Sequence, residues 1–180
     1  MALHVAVVIE THSTSEDNEA GIATGWLPGR LSARGREQAA ELGQRRRDDG
    51  LDAVFISDLR RAVETAEIAF AGSPLPVAAD ERLRECDYGE LNGTSGPVRD
   101  RLAHIDLPYP GGESWRQAVE RVAGFLEELR VERAGDRLLV IGHSATRLAL
   151  EVVANGRDLG EAVAEPFVWR PGWEYLLPPD

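Results

Sequence analysis

Short apolar runs alternate with longer amphipathic stretches along the chain. Leu3-His4-Val5-Ala6-Val7-Val8-Ile9 is β-branched, of strand length and without apolar–polar alternation, which predicts a strand buried on both faces. Ala53-Val54-Phe55-Ile56 and Arg137–Gly142 predict two more strands, and Val77–Ala79 a shorter one. Ser32 reads as the N-cap of a helix with Ala39, Ala40, Leu42 and Gly43 on its apolar face. That helix ends through Arg45-Arg46-Arg47, for which a solvated terminus is expected ahead of the alternative, an anion site. A second helix is expected from Ser57-Asp58 to about Phe70. A third follows Gly111-Gly112-Glu113-Ser114 to about Val131, with Val119, Val122, Phe125, Leu126 and Leu129 along one side. Ser144 is expected to cap a fourth over Ala145–Ala154. Phe167-Val168-Trp169 and Trp173-Glu174-Tyr175-Leu176 predict one or two closing strands around Pro171-Gly172.

This alternation implies a mainly parallel central sheet with helices on both faces, a three-layer α/β sandwich. No repeat, low-complexity tract or linker divides the 180 residues, so 1–180 is expected to form a single domain. Two stretches stand outside the pattern. Thr11–Arg30 is polar and Gly-rich, and Leu83–Asp106 is broken by Gly89, Gly93, Gly96 and Pro97. Long irregular segments of a compact domain commonly carry function.

Charge narrows the partners. Twenty Lys plus Arg against 31 Asp plus Glu leave −11, with a pI near 4.9, which argues against nucleic acid and anionic membrane as partners. A small phosphorylated substrate held by local arginines remains compatible. Cys86 is the single cysteine, so neither an intramolecular disulfide nor a cysteine-built zinc site is expected. The longest apolar runs, Val5–Ile9 and Leu138–Ile141, fall short of the ~20 residues of a membrane span. The N-terminus lacks the basic start of a signal peptide, and a cytoplasmic location is expected. Oligomeric state is left open, with the Trp-bearing tail as a candidate interface.

In parallel sheets the ligand sits beyond the carboxyl ends of the strands. Glu10-Thr11-His12-Ser13 follows the first strand, Ser57-Asp58-Leu59-Arg60-Arg61 the second, and Gly142-His143-Ser144 the late one. A lone histidine in such a place is usually structural. Two at equivalent strand ends, with arginines between them, point to chemistry. A neutral imidazole attacks phosphorus, a guanidinium spreads charge on the oxygens, and a carboxylic acid protonates the leaving oxygen. The helices beginning at Ser57–Leu59 and Ser144 would add backbone N–H groups for an anion. His4 reads as structural, His104 as a weaker candidate at the entrance, and Trp26 and Tyr88 as packing or pocket wall.

Six motifs occur in the order found in one family. They are Thr11-His12-Ser13 with Asn18; Gly25 with Leu31-Ser32-x-x-Gly35-x-x-Gln38-Ala39; and Ser57-Asp58-Leu59-Arg60-Arg61-Ala62-Val63-Glu64-Thr65-Ala66. Leu83-Arg84-Glu85 with Tyr88-Gly89-Glu90-Leu91-Asn92-Gly93, Gly112-Glu113-Ser114, and Val140-Ile141-Gly142-His143 complete them. In these the chain resembles the histidine phosphatase superfamily, of phosphoglycerate-mutase-like fold. The resemblance implies a phosphohistidine formed on His12 and Glu85 as general acid. It also implies that Arg61, His143 and Asn18 hold the phosphoryl oxygens, with no metal or cofactor. Zinc on His12, His143 and Glu85 is disfavoured by the arginine beside them. A small-molecule phosphomonoesterase is the leading expectation. The mutase reaction ranks lower, because cofactor-dependent mutases of the family are usually longer chains.

The first motif departs from the family. Thr11 stands in place of its arginine, Ser13 in place of its glycine, Glu10 where an apolar residue is usual, and Ile22 where many members are basic. A charge-assisted hydrogen bond contributes about 1.5–3 kcal/mol, so the missing arginine should weaken catalysis without abolishing it. Thr11, Ser13 and Ser144 remain as uncharged candidates for binding the substrate. Glu10 has two expected roles of equal weight: pairing with a freed arginine such as Arg60 or Arg84, or binding a substrate hydroxyl or amine. The alternative function is a catalytically silent or repurposed relative that binds a small ligand or runs a non-phosphoryl reaction.

Overall fold

The computed structural model describes residues 3–96, 98 and 100–179. Among them, β1 (Val5–Thr11), β2 (Ala53–Ser57), β3 (Val77–Asp80), β4 (Arg137–Gly142) and β5 (Trp173–Leu177) form one sheet in the order β3-β2-β4-β1-β5. The first four strands are parallel, and β5 pairs antiparallel with β1. The helices are α1 (Glu16–Ala20), α2 (Ala33–Arg46), α3 (Arg60–Ala69), α4 (Trp115–Glu132), α5 (Ser144–Val153) and α6 (Leu159–Ala164).

Strand alternation sorts the core into two layers. Val8, Val54, Ile56, Leu139 and Ile141 face Leu42 of α2 and Ala62, Ala66 and Ala69 of α3. Val7, Ile9, Leu138 and Val140 face the opposite way, towards Val122, Phe125 and Leu126 of α4 and Leu148 of α5. The expected three-layer α/β arrangement is therefore present.

The sequence pattern misses several details. β1 continues through Glu10 and Thr11, because Thr11 still pairs with Gly142 of β4. α1 buries none of its residues, so no apolar period announces it; the Ser15–Asn18 capping box and Gly21 at φ 70° hold its ends. α6 is also missed. The cap of α5 is His143 rather than Ser144, which already belongs to the helix. Phe167-Val168-Trp169 is not a strand but an exposed segment between α6 and β5. Of the expected breakers, Gly89, Gly93 and Gly96 take positive φ, and Pro97 lies outside the described residues.

Candidate active site

The register of the two central strands builds the site. Thr11 pairs with Gly142, so the next residues of both strands emerge side by side, and the rings of His12 and His143 stand 5.0 Å apart between centroids. His12 N–H donates to the Gly142 carbonyl at 3.0 Å and closes this corner. Arg61 enters from the first turn of α3 and is 2% exposed. Its Nε donates to His12 Nε2 at 3.3 Å, and its Nη2 to the Gly25 carbonyl at 2.9 Å and to His143 Nδ1 at 3.4 Å. Glu85 follows the turn after β3, and its carboxylate accepts from three backbone N–H groups. Those are Cys86 at 2.9 Å and, at the start of α5, Ala145 at 3.1 Å and Ser144 at 3.2 Å.

These contacts set the protons. His12 Nδ1 lies 2.7 Å from the Ser13 carbonyl and donates to it, which leaves the lone pair on Nε2. Burial, with the Arg61 charge beside it, lowers the His12 pKa to about 3, so the ring is neutral at ordinary pH. Burial and Arg61 likewise hold His143 well below the usual imidazole range. A guanidinium only donates, so His143 Nδ1 is its acceptor and Nε2 carries the hydrogen. That Nε2–H is buried and has no hydrogen-bond partner. An imidazole nitrogen lone pair, a guanidinium and an unspent donor thus meet at one point.

The cavity around them has a volume of about 730 Å³. His12, Glu85, His143, Thr11, Asn18 and Ser144 line it, whereas Ser13 does not and instead bonds Thr65 Oγ1 through its N–H. Asn18 also closes the α1 capping box through Oδ1. Glu10 does not reach the cavity; of its two expected roles, pairing with an arginine is realised, with Arg45 and Arg46 of α2 in place of Arg60 or Arg84, whereas Glu10 is not placed to bind a substrate. It shares the Val8 side of β1, lies 1% exposed, and accepts from Arg45 at 3.0 and 2.9 Å and from Arg46 at 2.8 Å. The end of α2 is therefore an internal anion site rather than a solvated terminus. Arg84 pairs with Asp58 and Arg60 with Glu67 instead. His104 stacks on Tyr109 away from the cavity, and Trp26 bonds the Glu85 carbonyl through Nε1 at 2.7 Å.

One wall was not foreseen. Arg34, Glu37, Gln38 and Glu41 of α2 form it, beside Phe167 and Trp169 of the tail, which the sequence does offer as pocket wall; no described residue of 90–110, also expected there, lines the cavity. The signal was the polar side of α2, recurring every three or four residues, but a polar helix side ordinarily faces solvent.

A family model for the histidine phosphatase superfamily (branch 1) matches residues 8–164. The chain belongs to the histidine phosphatase superfamily. It is similar to a 2,3-bisphosphoglycerate-dependent phosphoglycerate mutase of Methylobacterium sp. (strain 4-46), 38% identical over 168 residues, covering 83% of this chain and 80% of the mutase. It is also similar to phosphoserine phosphatase 1 of Hydrogenobacter thermophilus, 32% identical over 168 residues, with 87% and 79% covered. Among solved structures, Bacillus stearothermophilus YhfR superposes with a TM-score of 0.82 at 25% identity, covering 93% of this chain and 88% of that one. Phosphoryl transfer is the chemistry that the superfamily and these named relatives support for this histidine phosphatase homologue.

Proposed function

We propose that the chain hydrolyses a small-molecule phosphate monoester through a phosphohistidine on His12. The observation that carries this reading is the lone pair of a neutral His12 Nε2 beside Arg61 and the unspent Nε2–H of His143. In the first step His12 Nε2 bonds to phosphorus, the ester P–O bond breaks, and Glu85 gives its proton to the leaving oxygen. In the second, water attacks the phosphohistidine, returns a proton to Glu85 and releases inorganic phosphate. Arg61 and His143 donate to the phosphoryl oxygens throughout, and the Thr11 hydroxyl lies at the place of the family's first arginine. Arg61 sits within 3.4 Å of a nitrogen of each histidine, which disfavours a metal cation between them. Phosphate release is expected to persist with a chelator present.

The test is phosphate release from a generic phosphomonoester across pH 5–8. His12→Ala is expected to lose roughly a thousandfold or more of the wild-type rate, and rapid acid-free quenching should trap phosphate on wild-type His12. Unchanged release by His12→Ala refutes the reading. Silence of both proteins, with phosphate esters still bound, favours the silent relative instead. The mutase-named relatives favour a second reading, in which the phosphoryl group passes to another acceptor. Against it stand Glu37 and Glu41 in the cavity wall, which repel a bisphosphorylated partner. Phosphoryl transfer from 2,3-bisphosphoglycerate to a phosphoglycerate, outrunning hydrolysis, would select it.

A further inference from the structure

The α2 wall of the cavity has a chemistry of its own. Glu37 and Glu41 are one helical turn apart on the cavity side of α2, and both are exposed. Gln38 between them is committed, its Oε1 accepting from Thr14 N at 3.0 Å. Neither glutamate has an ion-pair or hydrogen-bond partner among the described residues. Arg34 on the same side offsets one carboxylate, so the wall keeps surplus negative charge. Phosphate recognition alone calls for the opposite sign.

Phe167 and Trp169 add two exposed rings to this cavity. Arginine guanidiniums stand over Trp115 at 4.2 Å, over Trp26 at 4.7 Å and over Trp173 at 5.1 Å. Trp169 is the tryptophan without such a cation among the described residues. An open aromatic face beside unneutralised carboxylates attracts a cation from solution. The buried, unpartnered His143 Nε2 lines the same cavity and lacks an acceptor. One ligand satisfies both ends if it carries an anion at one end and a cation at the other.

We propose that the substrate is the phosphate monoester of an amino alcohol, whose ammonium group is received by Glu37, Glu41 and Trp169. This rests on the phosphomonoesterase reading and adds its specificity. The ester P–O bond breaks as before, Glu85 protonates the departing alcohol oxygen, and the ammonium group leaves unchanged.

The experiment compares O-phosphoethanolamine with n-propyl phosphate, which replaces the ammonium group by a methyl group of similar size. kcat/KM is measured with the wild type, and Kd by calorimetry with His12→Asn. A preference of roughly tenfold or more for the amino ester is expected, shrinking as salt is raised. The Glu37→Gln/Glu41→Gln double variant should reduce that ratio to near unity. Its melting temperature should stay unchanged, since both side chains are exposed. Equal values for the two esters overturn the proposal, as does a preference that survives in the double variant. A stronger preference for a sugar phosphate overturns it in favour of a hydroxyl-binding wall. If His12→Asn binds the amino ester preferentially but the wild type turns over neither ester, the specificity stands and the phosphatase reading falls. If neither ester is bound or turned over, both fall.

Discussion

Thr11 occupies the place where the superfamily keeps its first arginine, and this leaves Arg61 as the guanidinium in contact with both histidines. Thr11→Arg should therefore raise kcat/KM for a generic phosphomonoester by roughly 10–150-fold, the equivalent of about 1.5–3 kcal/mol, as read by steady-state kinetics. No gain would mean that the Thr11 hydroxyl already meets the need. The proton state of His12 is open to a second check. With its pKa lowered to about 3, the His12 ring resonance should stay flat in an NMR titration from pH 8 to 5. An ordinary histidine would turn through its midpoint near 6.5. At this scale the residues brought together at the strand ends, His12, Arg61, Glu85 and His143, were legible because each follows a strand end or stands in a family motif. The partner of Glu10 was not. Alternation puts Glu10 on the Val8 side of β1, but which helix covers that side is decided by packing.

α2 shows what an element adds. Its glycines are contact points: a Cβ at Gly35 would stand 1.9 Å from the Thr14 carbonyl oxygen, and one at Gly43 would stand 2.3 Å from that of Ala69. Gly35 lets the helix close on the segment after His12, where Gln38 then accepts from Thr14 N. Gly35→Ala is expected to cost about 1–3 kcal/mol in urea unfolding and to lower activity, because the backbone rather than a flexible side chain must move. The sequence reading found the apolar side and the cap of α2, since both are local. It assigned the polar side to solvent, because periodicity separates core from non-core and does not separate a cavity from bulk water. α1 shows the opposite limit: four polar residues and an alanine held by a capping box leave no hydrophobic trace.

Across the whole molecule, the central cost of the site is two imidazoles kept neutral indoors. In the unfolded chain each takes up a proton near pH 6.5, whereas folded His12 does so near 3 and His143 well below 6.5. Between roughly pH 6.5 and 3 the unfolded state thus binds more protons, and stability falls as pH falls. The slope approaches about 1.4 kcal/mol per pH unit for each imidazole. Denaturant titrations at pH 7 and 5.5 should show this loss, and His143→Gln should remove part of the slope. A slope unchanged in that variant would place the acid sensitivity elsewhere. The strand–helix alternation was enough to foresee the parallel sheet and its productive edge. The tail was a candidate pocket wall, and Phe167 and Trp169 do reach that edge, but as an exposed segment rather than the expected strand.

The Glu10 cluster also dictates an order of events in descent. Arg46 keeps Asp49 and the Pro171 carbonyl as partners when Glu10 is absent, and the Arg45 side chain, 29% exposed, keeps access to water, so both arginines are tolerable beside an apolar residue at position 10. Glu10 without them is a bare carboxylate in the core, which costs several kcal/mol. A lineage moving from the apolar residue usual in the family could thus acquire the arginines first and the glutamate afterwards, but not the reverse. Once Glu10 had arrived the step became hard to undo, because Arg45 and Arg46 could no longer drift together. Ancestral variants rebuilt in the two orders should differ in this way: arginines with an apolar residue 10 fold, and Glu10 beside alanines at 45 and 46 does not.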